Sequence, residues 1–334
     1  MIVYSVDSLA SSIIFRSRPV HARGQCPVNI DDANTEPFYR FHRFNEEFNR
    51  NVRLTVGALG VVSEMGINNA AALKLLELPT DGEPWGDLTK WKSVTNAVPA
   101  AKRFISQIGT VRVISAFEDL LTSSKAEYDR RSESNDGQKA KAAGDEESRN
   151  VSLSALYHQL GWDKRGIEPL MPLFDYFVLV RNCIVHRSGR ASAALSVAAQ
   201  KTELATCTKR WHRSTGKRLP SLPTINTGKD IALLPRHAVL ASEVCYRIAL
   251  DVNVRLRAFL AEEGLVYMAA YHCLLSKDPI ATNARSSAEA VINVALTGRY
   301  RVRLEDRHEA VTFLKSMGEW KACLEAFRQL NSHS

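Results

Sequence analysis

Apolar residues recur at helical spacing along most of the chain. Phe38, Phe41, Phe44 and Phe48 stand three or four residues apart, one aromatic stripe on a helix that starts at Pro37. A stripe of this kind packs into a core. The next segment, Val52 to Met65, is apolar and contains Gly57 and Gly60, but no Gly-Lys-Ser/Thr and no GxGxxG, so it is no phosphate loop. Ala70 to Leu78 predicts a short helix, stopped by Pro79 and the Asp81-Gly82 turn. A longer helix follows from about Val98 to Arg130. Its apolar face carries Phe104, Ile108 and Val111, then Ile114, Phe117 and Leu121, and Gly109 weakens it by up to ~1 kcal/mol relative to alanine. Residues 131–150 lack any large apolar residue and predict a solvated loop between helices of one bundle.

The second half continues the pattern. Ser152 to Leu160 predicts a short helix, Met171 to His186 a central one, and Ala-rich residues 190–203 a third. Pro220 and Pro223 end the basic segment that follows. Leu240, Val244, Ile248, Val252, Leu256 and Phe259 then form one face of a strong helix from Arg236 to Glu262. Residues 265–275 and three more segments, about 285–296, 305–315 and 319–330, are also helical in pattern. No β-alternation, internal repeat or heptad pattern is present, so the fold class is all-α, a helical bundle.

Against this background the segment FDYFVLVRNCIVHRSG, residues 174–189, is unusual. An apolar run ends in Arg181-Asn182, three more apolar residues follow, and then comes His186. Arg181 continues the apolar column of Phe174, Phe177 and Val178, an odd place for an always-charged group. Asn182 and His186 are four apart and share a helix face. Pro172 suits the first turn and Gly189 the stop.

Composition narrows the chemistry. The net charge of +8 points to a polyanionic partner, and low glycine (17) and proline (12) favour helices. Six cysteines, at 26, 183, 207, 245, 273 and 323, form no Cys-x-x-Cys pair, which argues against a structural zinc site and suits a reducing compartment. No run reaches the roughly 18–20 apolar residues of a membrane span, and SLASSIIF precedes rather than follows its arginines. A cytoplasmic protein without metal or cofactor is expected.

The spacing Arg181-x-x-x-x-His186, with Asn182 after the arginine, resembles the motif of the HEPN superfamily (higher eukaryotes and prokaryotes nucleotide-binding domains). The match reads RNCIVH and covers about residues 97–262. The resemblance implies a compact helical bundle and a metal-independent endoribonuclease that works as a homodimer with two motifs facing each other. It further implies a bacterial toxin or antiviral effector, with an antitoxin or sensor protein as a possible partner. On this division, 1–36 is an irregular lead-in and 37–96 an N-terminal helical extension. Residues 97–262 are the HEPN-like domain and 263–334 a C-terminal helical appendage. The long insertion 187–235 departs from the family pattern.

The residue types fit RNA cleavage on their own chemistry. The ribose 2′-OH is the nucleophile. His186, of a type that titrates near pH 6.5, can move protons, and Arg181 offers a planar fork to phosphate oxygens. Asn182 can orient His186 or hold a phosphate oxygen. The alternatives are structural: His186 as a histidine meeting the negative end of its helix, Arg181 as the partner of Glu118 or Asp119. The basic segment 208–220 adds Lys209, Arg210, Arg213, Lys217 and Arg218 as phosphate contacts, together with Arg187, and Trp211 as a base-stacking residue. His212 is a weaker catalytic alternative. His158, His237, His272 and His308 read as structural. A helix–turn–helix around Gly318 lacks a basic recognition helix. A non-catalytic HEPN-like module binding RNA, a nucleotide or a protein is the rival reading.

Overall fold

The computed structural model describes residues 32–64, 94–135, 151–215, 219–280, 287–306 and 308–332. The expected helix at 70–78, most of the 131–150 loop, and Lys217 and Arg218 lie outside them. Ten α-helices and no strand occur among the described residues, so the fold is all-α. They are α1 Glu36–Glu64, α2 Val94–Asn135, α3 Leu153–Gln159, α4 Met171–Arg187, α5 Ala193–Gln200, α6 Thr202–Thr215, α7 Pro235–Ala270, α8 Ala288–Ala295, α9 Glu309–Ser316 and α10 Trp320–Ser332. None is long and apolar enough to cross a membrane.

The aromatic stripe does what its spacing predicts. Phe41 meets Phe117 of α2 edge-on at 5.8 Å, and Phe117 meets Phe174 of α4 edge-on at 5.2 Å. These rings knit α1, α2 and α4 together. Leu240, Val244, Ile248 and Val252 of α7 close the same core. The extension and the HEPN-like region of the sequence division therefore share one core through Phe38, Phe41, Phe48 and Val52. Gly109 has a packing reason: a methyl there would stand 3.2 Å from the Phe48 ring and from the Ala238 Cβ.

A second core joins the last third of α7 to α8, α9 and α10 through Leu260, Leu265, Met268, Ile292, Leu314 and Cys323. The sequence predicts a helix end at Glu262. The break falls at Ala261, whose φ of 54° and ψ of −169° leave the helical region, and helix resumes beyond it. Two π-helical turns, Tyr271–Leu275 and Leu296–Tyr300, also belong here. Residues 33–36, part of the expected lead-in, are buried between the two cores. The Asn34 N–H donates to the Tyr300 carbonyl at 2.7 Å, the Thr35 N–H to Asn253 Oδ1 at 2.8 Å, and Glu36 pairs with Arg299.

Three of the histidines read as structural have structural partners. The His237 ring accepts from the Leu234 N–H at 3.0 Å and faces the Ser221 carbonyl at 2.9 Å. His272 pairs with buried Glu127 at 2.9 Å, and His308 with Glu289 at 3.0 Å.

Candidate active site

α4 positions the site. It enters with Pro172 in its first turn, where a missing N–H costs nothing. Its inner face buries Leu173, Phe174, Tyr176, Phe177, Val180 and Cys183. It stops at Ser188, which takes a left-handed φ of 51°, one residue before the expected Gly189, whose φ is +82°. The Gly189 N–H donates back to the Cys183 carbonyl at 3.0 Å. The chain then pairs briefly with residues 228–231. Ala191 N–H donates to the Lys229 carbonyl at 2.9 Å, and Ile231 N–H to the Gly189 carbonyl at 3.0 Å. Ser192 caps α5 through the Leu195 N–H and donates its own N–H to Cys183 Sγ at 3.3 Å. The end of α4 is thus fixed from both sides.

Arg181 sits in the seam between α4 and α2, its side chain 19% exposed. One terminal nitrogen donates to Glu118 of α2, the other to Asn182 Oδ1 at 2.9 Å. Its Nε–H is buried and has no hydrogen-bond partner. Asp119, the alternative partner, pairs instead with Arg40 of α1 at 3.2 Å on the open surface. Asn182 is committed to Arg181 and does not orient His186. The carboxylate of Glu118 also acts inward: it and burial push the Cys245 thiol well above its usual range.

His186 is exposed in the last turn of α4, and no hydrogen bond joins it to another described residue. Five residues of helix separate it from Arg181, so the two point about 140° apart around the axis and lie about 7.5 Å apart along it. Within one chain they do not converge on a single face.

As far as Thr215 the basic segment forms the last turns of α6, an amphipathic helix that buries Leu204, Cys207 and Trp211 at i, i+3 and i+7. Trp211 is 8% exposed, and Arg247 of α7 lies over its ring at 4.4 Å. That ring is core, not a stacking platform for RNA. Lys209 and Arg210 are exposed, and Arg213 falls in the same helix. Arg210 lines a cavity of ≈ 710 Å³ with Met171, Asp175, Tyr176 and Leu179 from the first half of α4. Leu179 is seven residues from His186, about 10 Å along the axis. The structure therefore places Arg210 away from His186, while Arg187 is exposed beside it.

Sequence reasoning missed the charges that do surround this end. Arg103 of α2 reaches Asp230 at 4.0 Å, and the Asp230 backbone lies opposite that of Arg190 in an isolated antiparallel pairing. Lys229 is the next residue, exposed, and so is Arg190. They come from three separate stretches of the chain, so no single composition window finds them. Phe104 and Ile108, expected in the core, are 62% and 42% exposed. The described cysteines, Cys183, Cys207, Cys245, Cys273 and Cys323, are free and buried. No group of three or more His, Cys, Asp or Glu is placed to hold a metal among the described residues. No family model, curated protein or solved structure matches the chain.

Proposed function

We propose that the chain is a metal-independent endoribonuclease of the HEPN type, acting as a homodimer. The observation that carries it is the end of α4, where a braced guanidinium and an exposed imidazole share one helix but face different ways. Two copies meeting along this helix would place Arg181 of one beside His186 of the other. In that site His186 takes the proton of the ribose 2′-OH as its oxygen bonds to phosphorus. The bond from phosphorus to the 5′-oxygen breaks, and that oxygen takes up a proton from the imidazolium. The products are a 2′,3′-cyclic phosphate and a 5′-hydroxyl. Arg181 donates to the phosphorane oxygens from a position that Glu118 and Asn182 hold beforehand, so little ordering is left for the transition state. Glu118 and Asn182 take two of its five N–H donors.

The test is cleavage of a labelled single-stranded RNA. Activity survives EDTA and falls by about a hundredfold or more in His186→Ala and Arg181→Ala chains that keep wild-type circular dichroism. Loss of cleavage in EDTA, or wild-type cleavage by both variants, overturns the reading. A cytoplasmic toxin or antiviral effector, held by an antitoxin or sensor, is the role that goes with the family resemblance.

One observation favours a second reading. Glu118 already neutralises Arg181, as it would in a binding module that does no chemistry. Salt-sensitive RNA affinity without cleavage, unchanged by His186→Ala, supports that alternative.

A further inference from the structure

The end of α4 carries more than its two motif residues. Gln107 of α2 packs against it so closely that a methyl at Gly189 would stand 2.8 Å from the Gln107 Nε2. One turn earlier on α2 come Arg103 and Phe104. Arg103 pairs with the Asp230 side chain, and Asp230 lies opposite Arg190 in the short backbone pairing that follows α4. Four exposed cations, Arg103, Arg187, Arg190 and Lys229, surround this corner, and Asp230 is the acid among them. Beside them Phe104 leaves 62% of its surface open, although aromatic rings of this size are ordinarily buried.

α2 and α4 run antiparallel here, since Gln107 meets Gly189 while Glu118 meets Arg181. The level of His186 on α2 is thus near Val111. Phe104 lies seven residues back, about 10 Å along the helix. That is the distance a single-stranded RNA covers in one or two nucleotides.

We propose that single-stranded RNA, leaving the cleavage point at His186, crosses the corner formed by Arg190, Lys229 and Arg103 and stacks a base on Phe104. This rests on the ribonuclease reading and deepens it. The occupant follows from charge complementarity: Phe104 also lines a groove with Phe44, Phe48 and Ile108, but it shares a recess with Arg103 and Gln107 at the edge of the basic corner, and a polyanion with flat bases uses both the cations and the ring. The stacking role assigned by sequence to Trp211 passes to Phe104, and the phosphate role from α6 to this corner.

The experiment uses the full chain carrying His186→Ala, so that RNA stays intact, titrated with a fluorescein-labelled ten-nucleotide single strand. Phe104→Ala and Phe104→Leu weaken binding by about 5- to 100-fold, the range of one base–aromatic stack, and Phe104→Trp restores it. Arg103→Ala makes the slope of log Kd against log salt shallower by about 0.7. In the active chain Phe104→Ala raises KM and leaves kcat near wild type. Phe104→Leu binding as tightly as its parent overturns the inference, as does a Phe104→Ala chain whose only defect in sedimentation is loss of self-association. If the wild-type chain cleaves RNA and the Phe104 series binds normally, the inference alone fails. If the wild-type chain neither binds nor cleaves RNA at low salt, the ribonuclease reading fails with it.

Discussion

Arg181 shows how one residue can look anomalous in sequence and settled in the fold. An arginine in an apolar column is costly unless its charge is met. Glu118 meets it, and Asn182 takes the second terminal nitrogen. Both partners of this ion pair are roughly a quarter exposed or less, so breaking it is worth more than breaking a surface pair. We expect Glu118→Ala to destabilise the chain by about 1–2 kcal/mol, read from the urea midpoint. Cleavage should fall as well, because Arg181 loses its brace. Wild-type stability and activity together would remove Glu118 from the positioning role. His237 supports a prediction in pH. Burial holds its imidazole below the ordinary value of 6.5, with Arg236 acting in the same direction against the Ser221 hydrogen bond. The unfolded chain therefore binds a proton that the folded chain refuses, and stability is lost as pH falls through about 6.5. His42, lowered mainly by burial, acts in the same sense. The drop in urea midpoint between pH 7.5 and 5.5 should shrink, without vanishing, in His237→Asn. An unchanged drop would show that His237 titrates equally in both states.

Among the elements, α4 and α7 depend on single backbone positions. Gly189 ends α4 with φ +82°, a region open to glycine and strained for alanine. The Gln107 side chain can swing away from an added methyl, so the backbone sets most of the cost. Gly189→Ala is expected to cost about 1 kcal/mol in thermal or urea unfolding and to displace Arg190. The opposite change applies at Ala261, where α7 already carries a conformation that suits only glycine. Strain of this kind is worth about 1–3 kcal/mol, and the extra freedom of unfolded glycine returns up to about 1. Ala261→Gly should therefore raise the midpoint. A lower midpoint would mean that the Ala261 methyl packs better than its backbone is strained. The sequence ends this helix at Glu262, one residue beyond the break at Ala261, and reads 265–275 as a separate helical segment. It places α6 poorly: the lysines and arginines around Trp211 read as an RNA contact with a stacking ring, but Leu204, Cys207 and Trp211 are spaced to turn one face inward.

At the scale of the whole molecule, the question is how Arg181 and His186 come together. A helix sends residues five apart in directions about 140° apart. The proposed site shared between two copies would resolve this, and the proposal has a consequence for mixtures. Combining Arg181→Ala and His186→Ala chains in equal amounts should restore cleavage to about a quarter of wild type. Half of the dimers are then mixed, and each mixed dimer has one of its two sites intact. No recovery in a mixture that does exchange subunits would place the chemistry within a single chain.

Local spacing alone determined the helical class, the Phe38–Phe48 stripe, the course of α4 and the Arg181/His186 pair, because a helix maps sequence distance directly onto faces. Only the tertiary structure decided which acid braces Arg181. Glu118 and Asp119 are neighbours in sequence but point to different sides of α2, one toward α4 and the other toward Arg40. It also decided that Trp211 is core and Phe104 is open, and that Arg103, Arg190 and Lys229 meet at one corner. Those outcomes depend on which helices pack together, and contacts between residues far apart along the chain leave no periodic trace in it.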